Sequence, residues 1–451
     1  MTSNTSMGVA AARELERQLP PGRLLAGTEY DNARRIWNGA VDHTPALIVR
    51  PRRTKEVQTA VCAAAQHGLP LSVRGGGHDW AGRSIRHGGL VIDLSAMSRV
   101  VVDPGTQTAT LQGGATASDV ITAAKAFGLA AVTGTVGGVG MAGLTMGGGY
   151  GPLVGRYGLA LDNLLGAEVV LADGRWIEAT RSQEPELYWA LRGGGGNFGV
   201  VISLKVRVHP VPDVLTGLIV YRWSDAEVVW ARLADAIAAA PEELTVQTAI
   251  LPGPDGNPAL VVSPVWCGDD LAGLTAIKPL QTLATPLTAQ VARTSYADML
   301  RRFDAHVVTG RHYAMRTRSV PAYMPAVISA LIDAGQHRTS KFSAVSVHHF
   351  HGAPTRVPLE ATAFGIRQPH LMVEMLAAWE SGSDPSQHLA WADDIATALG
   401  PHALPGGYPN LLGPNDAEQI AHAYGANTAR LRAAKNYYDP SGVFAAIPLP
   451  G

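Results

Sequence analysis

Three runs of glycine in the first 200 residues constrain this chain more than any other feature. They read GGGHDWAGRSIRHGG at 75–89, GTVGGVGMAGLTMGGGYG at 134–151 and GGGGNFG at 193–199. Glycine permits positive φ and close backbone approach, at an entropic cost that something else must offset. Three such runs imply either flexible loops or one extended ligand lying against backbone in several places. The strand-like segments flanking them favour the ligand. Two runs match a GxGxxG spacing, at Gly138, Gly140 and Gly143 and again at Gly194, Gly196 and Gly199. A dinucleotide-binding Rossmann unit needs a strand before that spacing and a helix opening at it. Here Gly199 is followed by VVISLKVRVHP, which reads as a strand, and Gly143 by LTMGGGYG, too glycine-rich for a long helix. Neither run is read as a Rossmann fingerprint, and Asp162 further on does not change that.

The 451 residues suit two or three domains, and an apolar fraction of 46% against 16% charged supports a large core. Lys plus Arg (36) balances Asp plus Glu (37), which disfavours nucleic acid or an anionic membrane as a partner. Two cysteines, Cys62 and Cys267, make neither a disulfide framework nor a cysteine-rich metal site, and no metal is expected. Charges interrupt the N-terminal segment, and no apolar run reaches membrane-span length, so the expectation is a soluble cytoplasmic protein.

Strands are expected at Ala46 to Val49, Leu71 to Val73, Leu90 to Leu94, Thr108 to Gln112, Ala167 to Ala172 and Arg175 to Ala179. Helices are expected at Lys55 to His67, with Thr54 as N-cap, and at Thr116 to Phe127. Cys62 falls within the first helix and reads as a buried small hydrophobe ahead of a nucleophile. From about Thr216 the pattern becomes alternating strands (Leu244 to Ile250, Ala259 to Val265, Ser343 to Phe350) with alanine-rich helices such as Asp225 to Ala240. That pattern predicts an antiparallel sheet with helices on one face. Trp223, Trp230 and Trp391 suit an apolar pocket or, with the stronger prior, core packing. Asp416 to Asn436 carries helical spacing ended by Asp439-Pro440.

At RGGGH, Arg74 to His78, the chain resembles the berberine bridge enzyme-like branch of the vanillyl-alcohol oxidase type of FAD-linked oxidoreductases, in its bacterial form. The resemblance runs nearly end to end, through RIWNGAVDHTPALIVRPRRTKEV, LSVRGGGHDWAG, VTGTVGGVGMAGLTMGGGYGPLVGRYGLALDNLLGAEVVLADG, ELYWALRGGGGNFGVV and NYYDPSGVF. It implies an α+β fold with three parts. A PCMH-type FAD-binding domain of two α/β subdomains would span residues 1–213, with its core at about 40–213. A substrate domain built on a helix-covered antiparallel sheet would span 214–405, and a segment at 406–451 would return to the first domain, with Lys435 to Phe444 packed against it.

The resemblance also implies a site. His78 would bond covalently to the flavin C8 methyl carbon. Arg74, Gly75, Gly76 and Gly77 would follow the pyrophosphate. Gly134, Thr135, Gly138, Val139, Gly140, Gly143, Gly147, Gly148 and Gly149, with Gly194, Gly196, Asn197 and Gly199, would complete the FAD cradle. Many relatives carry a cysteine for a second flavin bond, and a nearby histidine; Val136 and Leu144 stand there, so FAD would be held through a single histidine. Val139 is either an oxygen gate or a small apolar contact. Tyr408, in Tyr408-Pro409-Asn410, is either the catalytic base or a core tyrosine, and its ordinary pKa near 10 demands assistance in the first role. Arg367, in Phe364-Gly365-Ile366-Arg367, and Asn410 are implied near the substrate. The expected activity is oxidation of a small or medium organic alcohol or amine of secondary metabolism, with molecular oxygen reduced to hydrogen peroxide. A dehydrogenase using another acceptor and a noncatalytic flavin or ligand binder are the alternatives.

Overall fold

The computed structural model describes residues 2–253, 256–304 and 307–451. The chain opens with a helix, Thr2–Gln18, that sequence reading missed; its Ala11 and Leu15 are buried against the helix Thr54–Gln66. The first sheet is parallel, in the order Leu47–Val49, Leu90–Asp93, Leu71–Arg74. Its strand Leu71–Arg74 runs directly into the first glycine cluster.

A second, six-stranded sheet is antiparallel in every pairing and is organised around the long strand Val200–Pro210. Its helix Ala117–Lys125 starts at a full capping box: Thr116 Oγ1 accepts from Asp119 N, and Asp119 Oδ2 accepts from Thr116 N. Such a cap contributes about 1 kcal/mol and sets where the chain turns.

The third sheet has seven strands, all antiparallel. Its order is Thr288–Ser295, Asp213–Arg222, Pro258–Trp266, Leu244–Pro252, Ala344–Phe350, His370–Trp379, His312–Val320. Side chains alternate across a strand. Val345, Val347, Val373, Met375 and Ala377 therefore face the helices Ala226–Ala238, Pro325–Gln336 and Ser386–Leu399. Trp230 and Trp391 are buried in that core and Trp223 packs on it, so these tryptophans are core and not pocket walls. The alternate residues Ser346, His348, Glu374 and Leu376 are turned the other way, into a large cleft.

Several expectations are corrected in detail. Cys62 is exposed, because that face of its helix meets only the turn at Asp173 and Gly174. Thr54 is the first helical residue and Arg53 occupies the N-cap. The segment 416–436 is two helices, Ala417–His422 and Thr428–Tyr438, broken where Gly425 takes a φ of 49°. The second of these buries Leu431, Ala434 and Tyr438 in the same core as Leu187 and Phe198, so the C-terminal segment packs on the six-stranded sheet's side of the molecule. Among the described residues no helix is long and apolar enough to cross a membrane.

Candidate active site

The cleft lies between the glycine-rich loops and the open face of the seven-stranded sheet, and holds about 2010 Å³ of empty space including its mouth. Gly75, Gly76, Gly77 and His78 line it from one loop, and Gly134, Thr135, Val139, Gly140, Gly143 and Gly149 from the second. Gly196 and Gly199 line it from the third, joined by Phe444 to Ile447 of the tail. Val136 and Leu144 also face the cleft.

Tyr408 and Asn410 line it too, whereas Gly138, Gly147 and Gly148 stand behind the wall. A Cβ on Gly138 would lie 2.9 Å from His78 Nε2, one on Gly147 2.1 Å from Asn410 Oδ1, and one on Gly148 2.2 Å from the Tyr408 hydroxyl. Gly148 also holds a φ of 145°, so glycine is required there on both counts. Three polar residues have other tasks than the expected ones. The Arg74 guanidinium donates to Ala33 O at 2.8 Å, away from the cleft. Arg367 makes a two-pronged pair with Asp162 at 2.8 and 2.9 Å and donates to Thr362 Oγ1, a buried structural brace outside the cleft. Asn197 donates to Gly194 O and Ile447 O and accepts from Ala446 N, so its side chain latches the tail. Gly194 is likewise packed against Leu431 and Phe198.

The cleft fits a long, phosphate-bearing ligand such as FAD. Among the described residues, the backbone amides of Gly76, Gly77, His78 and Gly196 have no protein acceptor, and the Trp37 indole N–H at the wall is buried without one. Unpaired amides gathered in a glycine loop form an anion-binding concavity. A Cβ on Gly76 would stand 2.3 Å from Gly140 N and 2.5 Å from Gly138 O, so the first two loops touch backbone to backbone. Gly76→Ala must wedge them apart; the expected outcome is a loss of about 1–3 kcal/mol in stability together with most of the flavin content. Absorbance of the purified variant and its urea unfolding curve check both.

His78 is largely enclosed, and burial holds its imidazole down at about 4, with only the charge of Asp304 opposing. It is therefore neutral at physiological pH. Its ring stacks on Trp37 at 5.3 Å, and Trp37 stacks in turn on Tyr313 at 4.1 Å.

Beside the second glycine loop, Tyr408 is 4% exposed and its hydroxyl accepts from Gly149 N at 2.5 Å. Burial raises its pKa well beyond the usual tyrosine value, so the hydroxyl keeps its proton. The segment around it is pinned by Asn410 Nδ2 donating to Leu144 O, Arg83 donating to Asn410 O, and Trp80 Nε1 donating to Leu411 O.

Sequence reading missed the polar group on the sheet. The Tyr150 hydroxyl donates to Glu374 Oε2 at 2.8 Å, and His348 Nε2 lies 3.6 Å from the same oxygen. The Tyr150 ring meets His348 and Tyr408 edge-on at 4.6 and 5.2 Å. Burial pushes the Glu374 carboxyl up, but His348 and the Tyr150 hydroxyl more than offset it and hold the pKa below the usual carboxylate value. Burial, together with the Glu374 charge, pushes Tyr150 the opposite way, so this pair is a carboxylate and a phenol. Glu374 is paired in register with Ser346 on the same open face. One signal was available: a lone carboxylate in the otherwise apolar run HLMVEMLAAW is costly to bury without a purpose. The other cleft carboxylate, Asp79, is committed to Arg83 through both oxygens.

His370, stacked on Phe350 at 4.5 Å behind this cluster, is held at about 4 by burial. Its folded pKa lies below the unfolded value, so below about 6.5 the unfolded chain takes up a proton that the folded chain refuses. Stability from this residue is full at pH 7 and falls on the order of 2–3 kcal/mol as pH drops toward 4. Urea unfolding at pH 7 and 4.5 should show that fall, and His370→Asn should shrink it; an identical pH dependence in the variant refutes the assignment.

Comparison with known proteins agrees with this geometry. An FAD binding domain family matches residues 45–180, and the family described as berberine and berberine-like matches residues 413–447. The chain is 33% identical over 437 residues to (R)-6-hydroxynicotine oxidase of Paenarthrobacter nicotinovorans, covering 92% of this chain and 93% of that one. Its fold matches the crystal structure of 6-hydroxy-D-nicotine oxidase from Arthrobacter nicotinovorans with a TM-score of 0.87 at 28% identity, over 96% and 98% of the two chains. It also matches xylooligosaccharide oxidase from Myceliophthora thermophila C1, in complex with xylobiose, at 0.88 and 26%, over 98% and 99%. Glycine loops facing a polar sheet across one deep cleft thus belong to a known design, and the chain is an enzyme of the berberine bridge enzyme-like FAD-linked oxidoreductases, within the vanillyl-alcohol oxidase family.

Proposed function

We propose that this protein is an oxidase that removes two electrons from a small or medium organic alcohol or amine and delivers them to molecular oxygen, with FAD attached through His78 alone. Residues 1–213 and 406–451 hold the cofactor in this reading, and 214–405 supply the substrate face. Bound FAD supplies the redox chemistry, accepting hydride from a substrate C–H bond and passing the electrons on to oxygen.

The observation that carries the reading is the pairing of two opposed walls in one cleft. On one stand the glycine loops, a neutral His78, and Tyr150 and Tyr408 beside the second loop; on the other, the ionised Glu374 of the sheet, held by His348 and reached by the Tyr150 hydroxyl. Glu374 is the proton acceptor of choice, because it is the cleft carboxylate not bound to an arginine and is charged at neutral pH. It takes the O–H or N–H proton of the substrate as the C–H bond is oxidised. Tyr408, protonated and anchored on Gly149, orients the substrate heteroatom through its hydroxyl. Trp80, Met315 and Leu376 give the remainder of the substrate an apolar wall, as a small organic molecule requires. Val136 and Leu144, where a second attachment and a further imidazole would stand in bicovalent relatives, leave His78 as the sole attachment point. Val139, on the loop facing His78, is a small apolar side chain suited to admitting oxygen.

The test is an anaerobic screen of alcohols, amines and small sugars for bleaching of the flavin absorbance, followed by admission of air. Bleaching by an alcohol or amine, with rapid recolouring and stoichiometric hydrogen peroxide, is expected. Bleaching with slow recolouring in air would make the protein a dehydrogenase, and no bleaching by any class would leave a ligand binder.

A further inference from the structure

The histidine proposed to carry the cofactor is not held by its own loop alone. Trp37 N donates to Gly77 O, one residue before His78, and the Trp37 ring lies on the imidazole with an interplanar angle of 16°. Trp37 is in turn fixed from the seven-stranded sheet. Its other face carries the Tyr313 ring, its carbonyl accepts from Gly310 N, and Gly39 N donates to Arg311 O. Asn38 completes the seam: its side chain accepts from Tyr313 N at 2.9 Å and donates to Tyr313 O and Trp80 O. On the neighbouring glycine loop, Asp304 Oδ1 accepts from Gly137 N at 2.7 Å, directly before Gly138, where a Cβ would stand 2.9 Å from His78 Nε2. The Asp304 charge opposes the effect of burial on the His78 imidazole. The part of the chain that carries the substrate face therefore backs the Trp37 ring stack through Tyr313 and holds the neighbouring glycine loop through the Asp304 carboxylate.

We propose that Trp37, backed by Tyr313, and Asp304 are positioning residues for covalent attachment of FAD at His78. This rests on the His78 attachment proposed above. The step forms a bond between an imidazole nitrogen and the C8 methyl carbon. That carbon loses one proton, the imidazole loses its N–H proton, and two electrons remain to be removed. Dioxygen takes these two electrons and two protons and leaves as hydrogen peroxide, so atoms and charge balance. A neutral imidazole attacks as a free lone pair and becomes cationic as the bond forms. The stack holds the ring plane against the cleft, and the carboxylate stabilises that transient charge; neither task ends in contact with substrate.

The experiment measures covalent flavin as a fraction of total flavin, by intact mass and acid precipitation, in wild type, Trp37→Ala, Trp37→Phe, Asp304→Asn and Asp304→Glu. Each is followed over time with added FAD in air, with total bound flavin and the thermal midpoint as controls. Wild type is expected to be fully covalent. Asp304→Asn and Trp37→Ala should attach at least tenfold more slowly while still binding flavin, and Asp304→Glu and Trp37→Phe should recover most of the rate. Wild type without covalent flavin overturns the His78 reading itself and this proposal with it. Covalent wild type with unimpaired Asp304→Asn and Trp37→Ala overturns the positioning role alone. Should Trp37→Ala bind no flavin at all, the isosteric Asp304→Asn decides: slowed attachment supports the proposal and an unchanged rate overturns it.

Discussion

His78→Ala is expected to yield protein whose yellow colour passes entirely into the supernatant on acid precipitation, while the wild-type pellet stays yellow and fluorescent. Intact mass should differ between the two by one FAD in addition to the side-chain change. The argument is chemical. His78 lies in the cleft wall, neutral because burial holds its imidazole at about 4, with Nε2 turned toward the Gly138 backbone where the first two glycine loops meet. It is the one histidine in that loop contact, and in the proposed reading Val136 stands where a second attachment would need a cysteine. Flavin should still bind His78→Ala noncovalently, since the unpaired amides of Gly76, Gly77 and Gly196 remain. Retention of acid-stable flavin by His78→Ala would move the attachment elsewhere. Its absence from wild type would remove covalent attachment and leave the FAD site intact.

The second large effect is expected at Glu374. Glu374→Gln preserves the shape of the side chain and the Tyr150 hydrogen bond but removes the charge. Rapid-mixing measurement of flavin reduction should show a loss of about 10²–10⁴, the usual contribution of a positioned general base. Substrate binding should change far less. Tyr408→Phe removes one hydrogen bond to the substrate and should slow reduction only by about tenfold, the equivalent of roughly 1.4 kcal/mol in the barrier. The two variants discriminate between the two bases that the cleft offers. A loss at Tyr408→Phe exceeding that at Glu374→Gln would transfer the proton to the tyrosine, against the burial that keeps its hydroxyl protonated. His348→Gln, which removes the imidazole facing Glu374, should raise the carboxylate's pKa and shift the acid limb of the reduction rate upward.

The cofactor side of the cleft was largely legible before any coordinates. Glycine clusters announce places where backbone must approach something closely, and the RGGGH run identified which histidine stands there. The substrate side was not legible to the same degree. Arg367 read as a residue at the substrate or one layer behind it, and it braces Asp162 and Thr362 outside the cleft, because a buried guanidinium is satisfied by whichever carboxylate the fold brings to it. Asn197 read as a cofactor contact, yet its amide is consumed by Gly194 and the tail at Ala446 and Ile447, some 250 residues away in sequence. Glu374 escaped attention although it sits alone among apolar residues.

The local elements followed from the chain itself. Thr116 and Asp119 start a helix wherever they meet their own backbone, and period-two alternation in Ser343 to Phe350 makes a strand with two chemically different faces. These are interactions within a few residues, and the order of the sequence contains them. Only the tertiary structure decided which strand face looks into the cleft, and that Glu374, Tyr150, His348 and Tyr408, from four separate segments, meet in one cluster. It also decided that a tryptophan at position 37 is sandwiched between His78 and Tyr313. The reason is physical: burial, electrostatic holding of a carboxylate and ring stacking all act through space at a few ångströms, and separation along the chain carries no information about them.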